Sequence, residues 1–325
     1  MKQSKLSVLL NKNVKLVLDG AMATELQSRG HSLDTKLWSF PMVHDHPNSV
    51  RDVHMDYMNV GSDIITACTY QSDLKPEDKQ TEQMMFDAMK IIHLAKQQYC
   101  TNQSNGREVL IAASMSSFGA NMDGAQEYDG RYVDEVDDET ISSFHGRKIR
   151  YLLEKCGDYA PDILLFETIP SLKEAQIIQD VLSKLDLINK TKQPDVLISF
   201  SCKEEQGIVT TCYGDKIEEC IAFANASQIV QGVGVNCSTP DHTLQALRIA
   251  RPLTTKLLVS YPNNGDVYDG INKTWSHQNS VMSFGDVASS LFDAGADIVG
   301  GCCRTCPNDI NQIYNTRNRF LNEKP

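Results

Sequence analysis

Three cysteines carry the most pointed chemistry in this chain of 325 residues. Cys237 closes the apolar run GVGVNC, and Cys302 and Cys303 stand side by side in IVGGCCRT. Thiolates are soft donors suited to zinc. A structural zinc site takes four protein ligands, whereas a catalytic site takes three and keeps one position open. Paired CxxC knuckles would mark the structural kind, and one CCxxC plus a distant cysteine fits that pattern poorly. The three-ligand reading requires Cys302 and Cys303 to face one ion, although neighbours on a regular strand point to opposite sides. Gly300 and Gly301, just before them, give the backbone room to leave extended geometry. Cys306, one turn further on and followed by Pro307, competes as a ligand.

Two carboxylates complete the set. Asp19 ends the run VKLVLDG and Glu167 ends DILLFET. Asp19 also suits the N-cap of the helical stretch AMATEL. Glu167 closes an apolar run, so its half-buried charge needs a partner, and a substrate ammonium would supply one. The eight histidines fall in helices and loops, with His145 and His277 the two nearest the same face. No strand-end serine sits in a nucleophile elbow, which excludes a Ser/His/Asp triad.

These residues need a scaffold that brings strand ends together. Short apolar, β-branched runs recur at 14–20, 62–70, 109–116, 162–168, 196–202, 232–237, 256–262 and 297–303. Near-continuous apolar runs are the pattern of parallel strands buried on both faces. Amphipathic stretches separate them, among them TEQMMFDAMKIIHLAKQQYC, DETISSFHGRKIRYLLEKCG, SLKEAQIIQDVLSKL and DHTLQALRIAR. The alternation predicts an α/β fold, a single (β/α)8 TIM barrel spanning residues 1–325 as one domain. An open doubly wound sheet would need a glycine-rich phosphate loop, and no GxGxxG or GxxxxGK[ST] is present. Barrel chemistry sits at the C-terminal strand ends. Those ends carry Asp19, Thr69, Tyr70, Ser114, Glu167, Thr168, Cys202, Asn236, Cys237, Tyr261, Cys302 and Cys303. Two long loops on that face, 118–138 and 261–280, hold Tyr128, Tyr132, Tyr268 and Trp275, as ordered lids would.

The net charge of −11 with no basic stripe argues against nucleic acid. No apolar run has the length of a membrane helix, and the N-terminus lacks a signal-peptide core, so a cytoplasmic protein is expected. In that compartment ten cysteines point to metal or catalytic use rather than disulfides. Cys100, Cys156 and Cys220 lie in helical patterns and are assigned no chemistry.

The stretches LVLDGAMATELQSRG, LWSF, TACTYQS, FETIP, GVNC, VSYPNNGDVYDGINKTW and GGCCRT resemble, in order, the zinc-dependent homocysteine S-methyltransferases. YPNNGDVYD is most similar to the branch using S-methylmethionine or S-adenosylmethionine rather than betaine. The resemblance implies a (β/α)8 barrel holding Zn2+ on Cys237, Cys302 and Cys303. It implies that Asp19 and Glu167 hold the amino group of L-homocysteine, with Asn236 and Thr69 in substrate-binding motifs. The implied reaction moves a methyl group from the sulfonium donor to the zinc-held thiolate of homocysteine, giving methionine. No contact is carried over for residues 121–138. Two other readings stand beside this one. The first is a non-catalytic zinc-binding or redox-sensing cysteine cluster closed by Cys306. The second is a barrel methyltransferase acting on another thiol or selenol. The methyl donor and the oligomeric state stay open.

Overall fold

A computed structural model describes residues 4–323 apart from 36, 103–106, 186–192, 266, 270–273 and 277–281. Eight parallel strands form the centre. In chain order they are β1 (Leu16–Val17), β2 (Ile64–Ala67), β3 (Leu110–Ser116), β4 (Ile163–Ile169), β5 (Asp195–Phe200), β6 (Val230–Asn236), β7 (Leu257–Tyr261) and β8 (Ile298–Val299). Each strand pairs with its neighbour in sequence, and β8 pairs with β1. The ring closes between β1 and β2 through a parallel bridge from Leu18 to Ile64, with the Asp63 amide donating to the Val17 carbonyl at 2.7 Å. The predicted (β/α)8 barrel is therefore what forms.

Strand alternation sorts the apolar residues into two layers. Leu16, Leu18, Ile64, Leu110, Ala112, Ile163, Leu165, Leu197, Val259 and Ile298 fill the barrel interior. Val17, Ile65, Ile111, Leu164, Ile198, Val233 and Leu258 point outward into the layer beneath the helices. The helix Lys5–Asn13 closes the N-terminal end, with Leu6 and Leu9 joining the interior cluster and the Leu6 amide donating to Asp195. Serine, threonine and aspartate start many of the outer helices: Asp137, Ser171, Thr239 and Ser283 each accept from an amide in the first turn.

Three differences from the expected pattern have local causes. Strands β1 and β8 are far shorter than the runs 14–20 and 297–303, because the chain leaves the ladder where the site begins. An antiparallel hairpin, Cys202–Glu205 with Ile208–Thr211, follows β5. Its tip residues Gln206 and Gly207 both take positive φ, the geometry a two-residue hairpin turn requires. Asp19 does not cap the following helix, Met22–Ser28, whose cap residue Ala21 offers no side chain.

Strand β6 approaches β7 closely through Gly234. A Cβ there would lie 1.8 Å from the Val259 carbonyl oxygen. Backbone cannot yield as a side-chain end does, so Gly234→Ala should cost about 3 kcal/mol or more. Thermal unfolding checks this; an unchanged midpoint would contradict the packing.

Among the described residues no helix is long and apolar enough to cross a membrane.

Candidate metal centre

The strand-end thiols do converge. The Sγ atoms of Cys237, Cys302 and Cys303 all lie within 4.8 Å of one another, and among the described residues they are the cluster of three or more His, Cys, Asp or Glu side chains able to share a metal. Cys237 Sγ lies 3.4 Å from Cys303 Sγ and 2.7 Å from Cys302 Sγ. Cys306 is outside the cluster. Its amide donates to the Asp309 carboxylate at 2.9 Å, at the start of the helix Pro307–Glu323.

The bend that lets neighbouring cysteines share a centre is a turn. Beyond β8, the Thr305 amide and hydroxyl both donate to the Cys302 carbonyl, at 3.2 and 2.7 Å. Gly300 and Gly301 matter for clearance rather than for positive φ. A Cβ on Gly300 would stand 2.8 Å from the Asp19 carbonyl oxygen, and one on Gly301 would stand 2.5 Å from Thr305 Oγ1. The residues after β7 clamp both cysteine elbows. The Pro262 carbonyl accepts from the Cys302 amide, the Asn264 amide donates to the Cys303 carbonyl, and the Asn263 amide donates to the Ser238 carbonyl. Cys237 itself sits at φ 49°, a left-handed backbone that non-glycine residues adopt mainly where surrounding structure enforces it.

The protons on these sulfurs are interdependent. Hydrogen bonds from Cys302 and then Cys303 hold the Cys237 thiol well below its ordinary pKa. The bond to Cys237 pushes Cys302 and Cys303 upward in turn. Three clustered thiols alone thus favour a single negative charge, and full ionisation requires a cation among them. A thiophilic divalent metal fits this donor set, and with three protein donors one position of a tetrahedral shell is left over.

The two carboxylates occupy the same mouth. Asp19 is buried and accepts from the Thr66 amide at 2.7 Å and from the Thr66 hydroxyl at 3.1 Å. Burial raises its pKa well above the usual range against the pull of Thr66, and the nearby Glu167 raises it further. Glu167 accepts from the Ser114 hydroxyl on the neighbouring strand. Burial pushes it up to about 7. Two acids destabilised by burial, Asp19 further by Glu167 and Glu167 further by Cys237, are ready to be neutralised by a shared cation.

Asn236 links the carboxylate and thiol halves. Its Oδ1 accepts from the Thr168 amide and its Nδ2 donates to Thr168 Oγ1, both at 2.8 Å, while Nδ2 lies 3.9 Å from Cys302 Sγ. Thr168 sits at φ 57°, so Asn236 holds strained backbone directly after Glu167. Thr69 spends its hydroxyl on the Ser114 carbonyl at 2.8 Å, which makes it a brace between β2 and β3. His145 is a buried partner of Glu174 at 2.8 Å and is not part of the thiol cluster. His277 lies outside the described residues, as do the placements of the side chains of Tyr268 and Trp275.

Tyr128 was legible only as a lid aromatic, yet its hydroxyl lies 3.2 Å from Cys237 Sγ. Nothing in the spacing of the 118–138 loop announces that contact. The aromatic among Gly and Asp was the available signal. Thr66 was missed because it lies inside its strand and not at the end.

The family profile described as homocysteine S-methyltransferase matches residues 16–316. Homocysteine S-methyltransferase 3 of Arabidopsis thaliana is 35% identical, over 95% of this chain and 90% of that protein. Selenocysteine methyltransferase of Astragalus bisulcatus is 34% identical, over 92% and 91%. The crystal structure of the homocysteine methyltransferase MmuM from Escherichia coli, in its metallated form, superposes with a TM-score of 0.81 at 27% identity, covering 95% of this chain and 99% of that one. With a profile spanning nearly the whole barrel and a cysteine triad at its mouth, the chain belongs to the homocysteine S-methyltransferase family and is an enzyme of that class.

Proposed function

We propose that this enzyme moves a methyl group from a sulfonium donor, S-methylmethionine or S-adenosylmethionine, to the sulfur of L-homocysteine, with Zn2+ held by Cys237, Cys302 and Cys303. The observation that carries the reading is the three-thiol cluster beside two buried, proton-hungry carboxylates in one barrel mouth. The likeness to a metallated homocysteine methyltransferase supports it.

When bound, zinc supplies positive charge and an open ligand position that favours the thiolate over the thiol of a substrate. Asp19 and Glu167 take the substrate ammonium, which restores the charge balance their burial disturbs. Asn236 keeps the Glu167 and Cys237 ends in register through Thr168. Holding both substrates in this mouth aligns the attacking sulfur with the methyl carbon, which is worth several orders of magnitude in rate. The new S–CH3 bond forms as the donor C–S bond breaks. The electron pair stays on the donor sulfur, thiolate and sulfonium charges cancel, and the thiol proton has already left to water. Residues 1–325 are read as one such domain, acting on small molecules in the cytoplasm, and its ten free cysteines suit a reducing compartment.

Supplying homocysteine with each donor separately tests the reading. Methionine should form with at least one donor and stop when a chelator strips the metal; full activity after stripping would contradict it. Selenocysteine as acceptor is a second reading, supported by the likeness to a selenocysteine methyltransferase. Competition between the two acceptors decides. A closed structural site is disfavoured by the exclusion of Cys306 from the cluster.

The product offers a pH test free of thiol ionisation. Glu167, raised to about 7, is protonated below that value and meets a substrate ammonium only once ionised. Methionine affinity should therefore fall as pH drops below 7, approaching about tenfold per unit. Calorimetry from pH 8 to pH 5 reads this, and a flat profile would remove Glu167 from the ammonium site.

A further inference from the structure

One buried acid in the mouth has no task in the scheme above. Glu127 is only 8% exposed, and its Oε2 has no hydrogen-bond partner among the described residues. A buried carboxylate oxygen without a partner is costly unless a ligand supplies one. Glu127 directly precedes Tyr128, whose hydroxyl touches Cys237. The charged groups acting on it are Cys237 and Asp129, which share its sign. Tyr70 is buried near both groups: its hydroxyl bonds Thr168, and the charges of Glu127, Cys237 and Glu167 all act on it.

The surrounding loop is braced so that this acid stays in place. The Glu127 carbonyl accepts from the Ser201 hydroxyl at 2.7 Å. At the two ends of the loop, Glu174 accepts from the Phe118 amide at 2.7 Å and from the Tyr132 hydroxyl. Glu174 is held in turn by His145. The loop is thus pinned from three sides, and Oε2 of Glu127 on it stays unmatched.

We propose that Glu127 is the counter-ion for the sulfonium of the methyl donor. The proposal rests on the methyl-transfer reading above. Asp19 and Glu167 are reserved for the acceptor's ammonium, and the cysteines for the metal, so the donor's positive charge needs its own acid. Glu127 is a buried acid on which Cys237 acts and which keeps an unmatched oxygen, and the adjoining Tyr128 touches Cys237. The contact is electrostatic and full before reaction. It fades as the sulfonium becomes a neutral thioether, which helps release the demethylated product. Such a residue acts on donor binding and not on acceptor binding.

The test is steady-state kinetics of Glu127→Gln and Glu127→Asp in the zinc-loaded full-length enzyme. S-methylmethionine and homocysteine are varied in turn. Glu127→Gln should raise the donor KM about tenfold to a hundredfold and leave the homocysteine KM within about twofold, with Glu127→Asp recovering part of the loss. A second arm uses 4-(dimethylsulfonio)butanoate, a sulfonium lacking the amino group, as a competitor of the donor. It should compete in the wild type and weaken in parallel in Glu127→Gln. Failure of wild type to form methionine from either sulfonium donor would overturn the functional reading itself. An active wild type with an unchanged donor KM in Glu127→Gln would overturn only the role of Glu127. Equal rises in both KM values, or a variant that does not fold while Glu127→Asp shows no donor effect, would assign it a structural role. Absence of competition by the deaminated sulfonium, or competition indifferent to Glu127, would overturn the sulfonium assignment.

Discussion

Changing Cys303 to serine is expected to reduce methyl transfer by on the order of a thousandfold or more, and to lower bound zinc well below one ion per chain, while the fold survives. The fold should survive because Cys303 contributes to it mainly through its backbone, whose carbonyl accepts from Asn264. The side chain is only partly buried, and serine is its near isostere. The site should fail because a serine hydroxyl stays protonated at neutral pH and is a poor donor for a soft metal. Two thiols would then remain where the open-position chemistry needs three. Metal analysis, circular dichroism and the methionine assay together read the result. An active serine variant would place the chemistry elsewhere in the barrel.

Glu167→Gln should separate binding from stability. Loss of a charge-assisted contact to the homocysteine ammonium should raise the homocysteine KM about tenfold to a hundredfold. The stability effect has the opposite sign. Burial raises the folded-state pKa of Glu167 from 4.5 to about 7, so the fold prefers the protonated acid. Its ionisation weakens the fold progressively between those two values and most fully above 7. Glutamine cannot ionise and keeps an oxygen for the Ser114 hydroxyl. The variant should therefore be close to the wild type in stability at pH 4, and its advantage should grow from there to pH 8. Melting curves at the two pH values check this, and a variant that binds homocysteine normally would contradict the role given to Glu167.

The barrel was legible because its strands are buried on both faces and read as uninterrupted apolar runs. Such runs end where the chemistry begins, so Cys237, Cys302, Cys303, Asp19 and Glu167 could be picked from strand ends. The capping reading of Asp19 failed because a strand-end carboxylate has two ways to be satisfied, and Thr66 across the barrel seam outcompetes the local helix. The bend at Cys302 and Cys303 was expected from glycine flexibility. The glycines instead clear space against Asp19 and Thr305, which no local pattern discloses. Tyr128 and Glu127 stayed hidden for a related reason. Their loop is irregular, and its placement depends on Glu174 and Ser201, residues distant in sequence that report no periodicity.

The central claim is an ion held by three protein sulfurs, with its fourth place left for the substrate. X-ray absorption at the zinc edge, recorded before and after addition of homocysteine, tests it most directly. The account predicts three sulfurs and one lighter ligand in the free enzyme, and four sulfurs once homocysteine binds. Four sulfurs in the free enzyme, or a shell that homocysteine leaves unchanged, would contradict it.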